Sequence, residues 1–384
     1  MGAYILRRLM LVIPTLIGIM LVNFTLTQFV PGGPIEQIIA RVQGEADATR
    51  NLTGAGAEGA GAAGVEDLGY QGARGISPEL LAQLEVQMGF SRIVCVPEFT
   101  GTPSLKEPAC RREKISAPMR FLKMMGDYLR FDFGKSFFKS KSVVDLVIEK
   151  LPVSISLGLW STLLAYLISI PLGIRKAVQD GTPFDTWTSA AIIIAYAIPT
   201  LVFSVLLMVL FAGGSYWKLF PLRGLTSDGW ESFTLGAKVL DYFWHITLPT
   251  LAITLSSFVT LTLLTKNSFL DEINKHYVMT ARAKGLSERR VLYGHVFRNA
   301  MLIVIAGFPG LFLAVLFSGS LIIETMFSLD GLGRLGYEAA VERDYPLVFG
   351  TLYAFGLISL VIGILSDLTY TLVDPRIDFE KRAG

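Results

Sequence analysis

The chain has 384 residues, of which 52% are hydrophobic and 17% are charged, and its formal net charge is +2. Soluble domains average about 25% charged residues, so this composition argues against a water-soluble globule and indicates an integral membrane protein. A net charge this small gives no support to nucleic-acid binding, and no nucleic-acid partner is expected.

Six apolar stretches are each long enough to cross a membrane as a helix, which takes roughly 20 residues for a hydrocarbon core of about 30 Å. Each contains a proline or glycine interruption, which a membrane bundle tolerates when neighbouring helices satisfy the freed backbone groups. The sequence therefore predicts an all-α integral membrane protein with six transmembrane helices. The predicted spans cover residues 9–30, 153–173, 188–212, 246–265, 300–323 and 347–371.

The N-terminal stretch, residues 1–30, is expected to be a retained first helix, because its apolar run is too long for a signal peptide. Lysine and arginine are concentrated in the segments that lie on the same side as this N-terminus, and they are sparse in the two short loops on the other side. Because cytoplasmic loops carry the excess of these residues, both termini are predicted to be cytoplasmic. Residues 373–384 then form a cytoplasmic tail.

Residues 31–150 are predicted to form a large extracytoplasmic insertion between the first and second helices. Within it, residues 52–75 are rich in glycine and alanine and lack a periodic apolar face, which favours a mobile loop. A short amphipathic helix is predicted at 78–88, closed by Gly89, and a second near 117–130.

Cys95 and Cys110 both lie in this insertion, and the chain has no other cysteine. The space outside a bacterial inner membrane is oxidising, so we expect a disulfide between them. Loop entropy would make that disulfide worth about 3 kcal/mol. Two free thiols are the alternative, and thiol labelling with and without reductant distinguishes the two.

Several kinds of chemistry have no motif in this sequence. It lacks the G-x-x-x-x-G-K-[ST] phosphate loop, H-E-x-x-H and G-x-S-x-G, and its three histidines are dispersed. We therefore expect no catalytic residue, cofactor or metal on this chain. Glu324 and Asp367 lie near the ends of predicted spans, where a structural hydrogen bond is favoured over a gating role. No convincing acid lies at mid-membrane depth, which argues against a proton-coupled secondary transporter.

The inner loop at 266–299 is compact and basic. The stretch that begins near residue 268 predicts a helix closed by Gly285, and Ser287 followed by Glu288 predicts the start of a second helix. Two small residues before the turn, Ala281 and Ala283, would let another surface approach closely. The alternative is an ordinary positive-inside loop without a partner.

The order T-A-R-A-K-G-L-S-E at 280–288, followed by H-V-F-R-N-A at 295–300, resembles the cytoplasmic loop motif of binding-protein-dependent ABC importer permeases. Met279 and Thr280 depart from the Glu-Ala start for which that motif is named, and Ile303 stands where the motif often has a proline.

Similarity extends over most of the chain. Three segments are similar to dipeptide and oligopeptide permeases. The predicted outer insert and a second set of three segments look most like the YejB-type branch of these permeases. That branch imports oligopeptides and the peptide–nucleotide antibiotic microcin C. The first set covers 130–159, 320–350 and 374–377, and the second covers 171–178, 220–225 and 374–380.

The resemblance implies a type I ABC importer permease in a bacterial inner membrane, with a five-helix core at 151–372. It implies a second homologous permease subunit, ATPase subunits that supply two nucleotide-binding domains with ATP and Mg²⁺, and an extracytoplasmic peptide-binding protein. The turn in the inner loop would couple this chain to the ATPase. The implied coupling residues are Thr280, Ala281, Arg282, Ala283, Lys284, Gly285, Leu286 and Ser287.

Two other function classes remain open at this point. One is a proton-coupled secondary transporter, whose substrate uptake would continue after ATP depletion. The other is a membrane-anchored receptor or scaffold that uses the outer insert for binding and the basic loop for lipid. No local pattern marks a substrate pocket, so the sequence identifies no substrate-binding residues.

Overall fold

A computed structural model of the chain describes residues 2–29, 35, 38, 78–96, 110–212, 216–315 and 320–373. The predicted mobile loop at 52–75 and all but the first residue of the predicted cytoplasmic tail at 373–384 lie outside the described residues. The described part is mostly helical, as the sequence predicts.

The helices follow one another along the chain, with short irregular connections between most of them. They are α1 (Gly2–Phe29), α2 (Pro78–Gln87), α3 (Ala117–Tyr128), α4 (Val143–Val178), α5 (Pro183–Ala197), α6 (Thr200–Phe211), α7 (Leu235–Ile273), α8 (His276–Ala283), α9 (Glu288–Val291), α10 (Phe297–Ala306), α11 (Phe308–Ala314), α12 (Ser320–Met326), α13 (Leu332–Glu342) and α14 (Tyr345–Val373). A 3₁₀ turn covers Trp230–Ser232, and a π-helical segment, Leu292–Val296, joins α9 to α10.

Among the described residues, five helical segments are long and apolar enough to cross a membrane. They are Leu6–Phe29, Val143–Val178, Leu235–Ile273, Glu288–Ala314 and Tyr345–Thr369. The consecutive helices α5 and α6 also pass as a pair but meet at 93°, so the number of candidate spans is five or six.

The bend between α5 and α6 falls inside the predicted span 188–212. It lies at Ile198, whose backbone is extended, and Pro199, which precedes the first residue of α6. A residue before proline is pushed out of the helical conformation by the proline ring. The sequence predicts one interrupted span here, and the structure shows two short helices at a steep angle.

The chain divides into two compact units. The first comprises Met1–Ile13, Val147–Tyr337 and Phe355–Gly384, and the second comprises Pro14–Leu146 and Glu338–Ala354.

The first unit is organised around the long helix α7, which contacts α5, α6 and α10. One apolar cluster surrounds Phe269 and Val304, and another surrounds Leu157 and Ile253. Helix α4 approaches α7 closely at Gly173. A side chain there would bring its Cβ within 2.6 Å of the Thr265 Cβ, so only glycine permits this approach.

The second unit contains a two-stranded antiparallel sheet, which departs from the predicted all-α fold. Strand β1 (Ser91–Cys95) pairs with β2 (Cys110–Lys114), and the last pair in the register is Cys95 opposite Cys110. Glu85 of α2 is buried beside the sheet, where it accepts a hydrogen bond from Ser91 Oγ at 2.6 Å. Arg112 of β2 pairs with the same carboxylate at 3.0 Å.

The two short helices predicted within residues 31–150 are confirmed. Helix α2 covers 78–87, and Gly89 follows it with a φ of +75°, the left-handed conformation expected of a glycine at a helix end. Helix α3 begins at Ala117 and ends at Tyr128, two residues before the predicted end.

Candidate functional site

The basic loop that is predicted to be cytoplasmic lies in the first unit, between α7 and α10. The single helix predicted from about residue 268 to Gly285 is in fact two helices, because Asn274 and the extended Lys275 separate α7 from α8. This break redirects the chain so that Val278, in the first turn of α8, is completely buried.

The base of the loop is fixed to α7 through Glu272. The Tyr277 hydroxyl donates a hydrogen bond to Glu272 Oε2 at 2.7 Å, and the Lys275 ammonium forms an ion pair with the same carboxylate. Burial raises the pKa of Tyr277, and the hydrogen bond to Glu272 acts in the same direction. Tyr277 therefore stays protonated and remains a donor at neutral pH.

The turn after α8 is a Schellman motif. The Leu286 amide donates to the Ala281 carbonyl at 3.4 Å, and the Gly285 amide donates to the Arg282 carbonyl at 2.9 Å. Gly285 has a φ of +78°, as the residue at this point of the motif requires. Helix α9 starts after Ser287, which occupies the N-cap position without a capping hydrogen bond from its side chain.

The two alanines of the predicted coupling segment face different environments. Ala281 is only 7% exposed and belongs to the same apolar cluster as Val278 and Val291. Its small side chain is therefore used for packing within this chain. Ala283 is exposed, and so is Thr280, whose hydroxyl donates to the His276 carbonyl at 3.0 Å.

The exposed surface of this turn is basic with two apolar side chains beside it. Arg282 forms a two-pronged ion pair with Glu288 across the turn, with contacts of 3.0 and 3.1 Å. In the part of the chain that the structure describes, no ion pair involves the other three exposed cations of the turn. These are Lys284, Arg289 and Arg290. Met279 and Tyr293 are each more than half exposed nearby.

A buried charge cluster joins α4, α5 and α7, and the sequence analysis missed it. The Lys176 ammonium is completely buried and lies 2.9 Å from Asp185 Oδ1. It also donates to Thr188 Oγ1 at 2.8 Å and Ser189 Oγ at 2.7 Å. Lys266 contacts Asp185 Oδ2 at 2.8 Å. No local sequence signal relates Lys266 to Asp185, because 81 residues separate them.

The two predicted acids occupy different surroundings. Glu324 is completely buried and accepts hydrogen bonds from Ser154 Oγ and from the Arg334 amide, both at 2.7 Å. Its carboxylate therefore lies at the start of α13. Asp367 is partly exposed and forms an ion pair with Arg8.

The structure joins Cys95 and Cys110 in a disulfide at the end of the sheet. Among the described residues, no group of three or more histidine, cysteine or acidic side chains converges on a possible metal position.

Comparisons with known proteins give a consistent result. Residues 169–379 match the family model of the binding-protein-dependent transport system inner membrane component. The chain is 58% identical to the peptidoglycan transport system permease protein YejB of Agrobacterium fabrum, over the whole of both chains. It is 54% identical to the inner membrane ABC transporter permease protein YejB of Escherichia coli O157:H7, again over the whole of both.

A more distant relative extends the comparison. The chain is 28% identical to the oligopeptide transport system permease protein AppB of Bacillus subtilis, over 99% of this chain and 100% of that one.

Proposed function

The chain belongs to the family of binding-protein-dependent transport system inner membrane components, and on that premise we propose that it is one of two permease subunits of an ATP-driven peptide importer. It is an inner membrane protein and a permease component of an ABC importer. Its companion would be a homologous permease subunit, and the two would form the translocation pathway at their interface.

The proposed cargo is a peptide. The names of the relatives refer to peptidoglycan for one protein and to oligopeptides for a more distant one. Peptide chains are common to both kinds of compound, which supports a peptide-containing cargo. A peptide–nucleotide of the microcin C kind is a further candidate. Competition for uptake between a peptidoglycan-derived peptide and an unrelated oligopeptide would rank these cargoes.

We propose that the bent pair α5 and α6 crosses the membrane as one span, which gives six spans with both termini in the cytoplasm. The cytoplasmic excess of lysine and arginine supports this orientation. Residues 31–150 would then form an extracytoplasmic insertion after a first segment of 1–30, before a core of 151–372 and a tail of 373–384. An extracytoplasmic binding protein would deliver the peptide on that side.

ATP and Mg²⁺ would bind to partner subunits that supply two nucleotide-binding domains. The chain itself carries no phosphate-loop motif, so the energy must reach it through a protein contact. The exposed turn between α8 and α9 would be that contact. It carries three cations that no acid of this chain neutralises within the described residues, and an acidic rim on the ATPase would complement them.

The observation that carries this assignment is the Schellman turn at Gly285. The inner side chains of this turn are buried and its outer side chains are exposed. A displacement of the exposed side can therefore be transmitted to the core without a change in the shape of the turn. Val278, Ala281 and Val291 anchor it to the core of the first unit. Movement of the ATPase against the turn would therefore move α7 and α10 with it.

The test is the substitution Gly285→Ala, with Gly89→Ala as its matched control. Both glycines end a helix with a φ near +75°, and at both positions an added Cβ would have no atom within 4 Å. Each substitution therefore carries the same backbone cost of about 1–2 kcal/mol. We expect Gly285→Ala to lower peptide-stimulated ATPase activity and uptake in the assembled transporter, and Gly89→Ala to leave both unchanged.

A second variant separates docking from folding. Lys284 is exposed, so Lys284→Glu should leave the melting temperature unchanged and weaken co-purification of the ATPase. If Gly285→Ala and Lys284→Glu both retain normal uptake and ATPase binding, the coupling assignment is wrong.

A further inference from the structure

The second unit contains a cavity of about 880 Å³ that the proposed transport function does not use. This volume lies within the range of about 300–1,000 Å³ that is typical of sites for small ligands. Phe24 lines it from the last two turns of the candidate span Leu6–Phe29, and Phe349 lines it from the second turn of the candidate span Tyr345–Thr369. The cavity therefore lies at the depth where two candidate spans reach the membrane boundary.

Of the 22 residues that line the cavity, seven are aromatic, three are methionines and seven are charged. Phe24 and Phe349 are in contact, with ring centroids 6.1 Å apart. Methionine side chains adapt to ligands of irregular or variable shape. Such walls suit a flexible apolar chain. The main apolar lining residues are Phe24, Phe90, Phe133, Phe349, Met119 and Met124.

Helix α3 adds charges of both signs along the cavity. Arg120, Lys123 and Asp127 follow at spacings of three and four, which place them on one face of the helix, and all three line the cavity. Arg120 is held in place, because its Nη2 donates to Gln28 Oε1 at 2.9 Å and its guanidinium lies 4.7 Å from the centre of the Phe90 ring. In the described part of the chain, the side chains of Lys123 and Asp127 have no ion-pair or hydrogen-bond partner.

Helix α3 and the residues after it also expose several apolar side chains. Met119 is 60% exposed and Leu122 is 65% exposed, and Leu129 and Phe131 just beyond the helix are similarly exposed. Exposed apolar side chains in such a group indicate a covered surface. An amphipathic helix with basic residues and an apolar face is typical of a segment that lies in the membrane interface.

We propose that this cavity binds a zwitterionic phospholipid whose headgroup carries a phosphate and a primary ammonium. An acyl chain fills the space among the aromatic rings and methionines. The phosphate lies at Arg120 and Lys123, and the ammonium lies at Asp127. A peptide would offer similar charges, but the depth of the cavity and the exposed apolar side chains of α3 favour a lipid.

The test uses the full-length chain in nanodiscs that contain an ethanolamine phospholipid with a photoreactive diazirine in its acyl chain. After irradiation, mass spectrometry locates the labelled peptides. We expect label on α3 near Met124 and also on α1 near Leu9, which is 51% exposed and serves as a reference for bulk lipid. Label at Leu9 without label on α3 overturns the proposal.

Headgroup recognition is tested with Lys123→Gln and, as a matched control, Lys135→Gln, an exposed lysine that does not line the cavity. A cation near the surface contributes about 1 kcal/mol to lipid binding, which corresponds to about a fivefold loss of α3 labelling in competition with unlabelled lipid. Lys135→Gln should have no effect. Equal effects of the two substitutions contradict a headgroup site.

A second comparison replaces the ethanolamine lipid with an anionic glycerol phospholipid of the same chain length. The native chain should be labelled more strongly by the ethanolamine lipid, and Asp127→Asn should remove this preference. No preference in the native chain overturns the headgroup assignment. Loss of α3 labelling on addition of a peptide or of the binding protein shows that one of these occupies the cavity, and overturns the lipid proposal.

Discussion

At the scale of single residues, Glu324 is held by the segment that leads into α13. Its carboxylate accepts from Ser154 Oγ and from the Arg334 amide, and Ser154 Oγ in turn accepts from the Leu332 amide at 2.8 Å. These bonds satisfy amide groups at the start of a helix, which otherwise lack partners. Gly331 completes the arrangement because a side chain there would overlap the Glu324 carboxylate.

We predict that Gly331→Ala destabilises the protein by about 1–3 kcal/mol, the usual cost of forcing extra atoms into a packed site. Gly126→Ala is the control, since Gly126 lies inside α3 with nothing within 4 Å of its added Cβ. That substitution should be neutral or stabilise by up to about 1 kcal/mol. Thermal unfolding in detergent measures both, and equal midpoints for the two variants contradict the packing around Glu324.

The charge cluster at Asp185 supplies a second prediction for a single residue. Asp185→Asn removes the carboxylate that pairs with the completely buried Lys176, so we expect a loss of about 3–5 kcal/mol in stability. Asp180→Asn also removes a carboxylate from Lys266, but the Asp180 side chain is 52% exposed, and an exposed pair is worth about 1 kcal/mol or less. Thermal unfolding of the two variants in detergent distinguishes them. Similar losses from both contradict the buried position of Lys176.

At the scale of helices, the contact of α4 with α7 depends on Gly173. In a membrane, small residues allow helices to approach closely, and the contact itself provides much of the association energy. We predict that Gly173→Ala separates the two helices and lowers the melting temperature in detergent, because its Cβ would also lie 2.9 Å from the Thr262 carbonyl oxygen. Gly18→Ala in α1 is the control, with no atom near the added Cβ. A melting temperature unchanged by Gly173→Ala contradicts this helix contact.

The sheet in the second unit is stabilised by the bond between Cys95 and Cys110. We predict that replacing both with serine lowers the local stability of β1 and β2 by about 3 kcal/mol, as expected for a loop of this length. Faster hydrogen exchange of the β1 amides is the measurement. Glu113→Gln, which breaks only an exposed pair with Arg92, should change exchange by much less. Unchanged exchange in the double serine variant contradicts this role.

The sequence predicts helices better than it predicts their boundaries. The start of α3 and the glycine ends of α2 and α8 follow from local residue types. The break before His276 does not, because it serves to bury Val278 in a core built from other helices. The sheet is likewise missed, since β2 reads C-R-R-E-K and is exposed for most of its length. The sequence predicts the disulfide that closes the sheet, but not the ion pair of Glu85 with Arg112, which forms only in the folded chain.

At the scale of the whole molecule, the sequence motifs identified the protein family, whereas composition identified only a membrane protein. The matched segments spread from residue 130 to the tail, and the family they indicate is confirmed. Membership in this family favours an ABC importer over the proton-coupled transporter and the receptor that the sequence alone left open. The cluster of Lys176, Asp185 and Lys266 could not be found in the same way, because it depends on contacts between residues far apart in the chain.

The number of membrane spans, and the side on which the later loops lie, depend on whether the bent pair α5 and α6 crosses the membrane. Single cysteines placed at Asp180, Asp228 and Lys284, in a chain whose two native cysteines are serine, can be labelled with a membrane-impermeant maleimide. Asp180 precedes the pair, Asp228 lies between it and α7, and Lys284 follows α7 and α8. If the pair crosses the membrane, Asp228 should be labelled from outside, and Asp180 and Lys284 only after permeabilisation.

A different outcome would change the topology in a specific way. If the pair enters and leaves on one side, Asp180 and Asp228 are labelled together, and Lys284 is labelled from the opposite side because α7 still crosses between them. The chain would then have five spans, and its termini would lie on opposite sides of the membrane. The basic turn at Gly285 could not remain cytoplasmic unless the N-terminus were outside, which the arginines at its start oppose. The charge distribution therefore favours the crossing of α5 and α6 as one bent span.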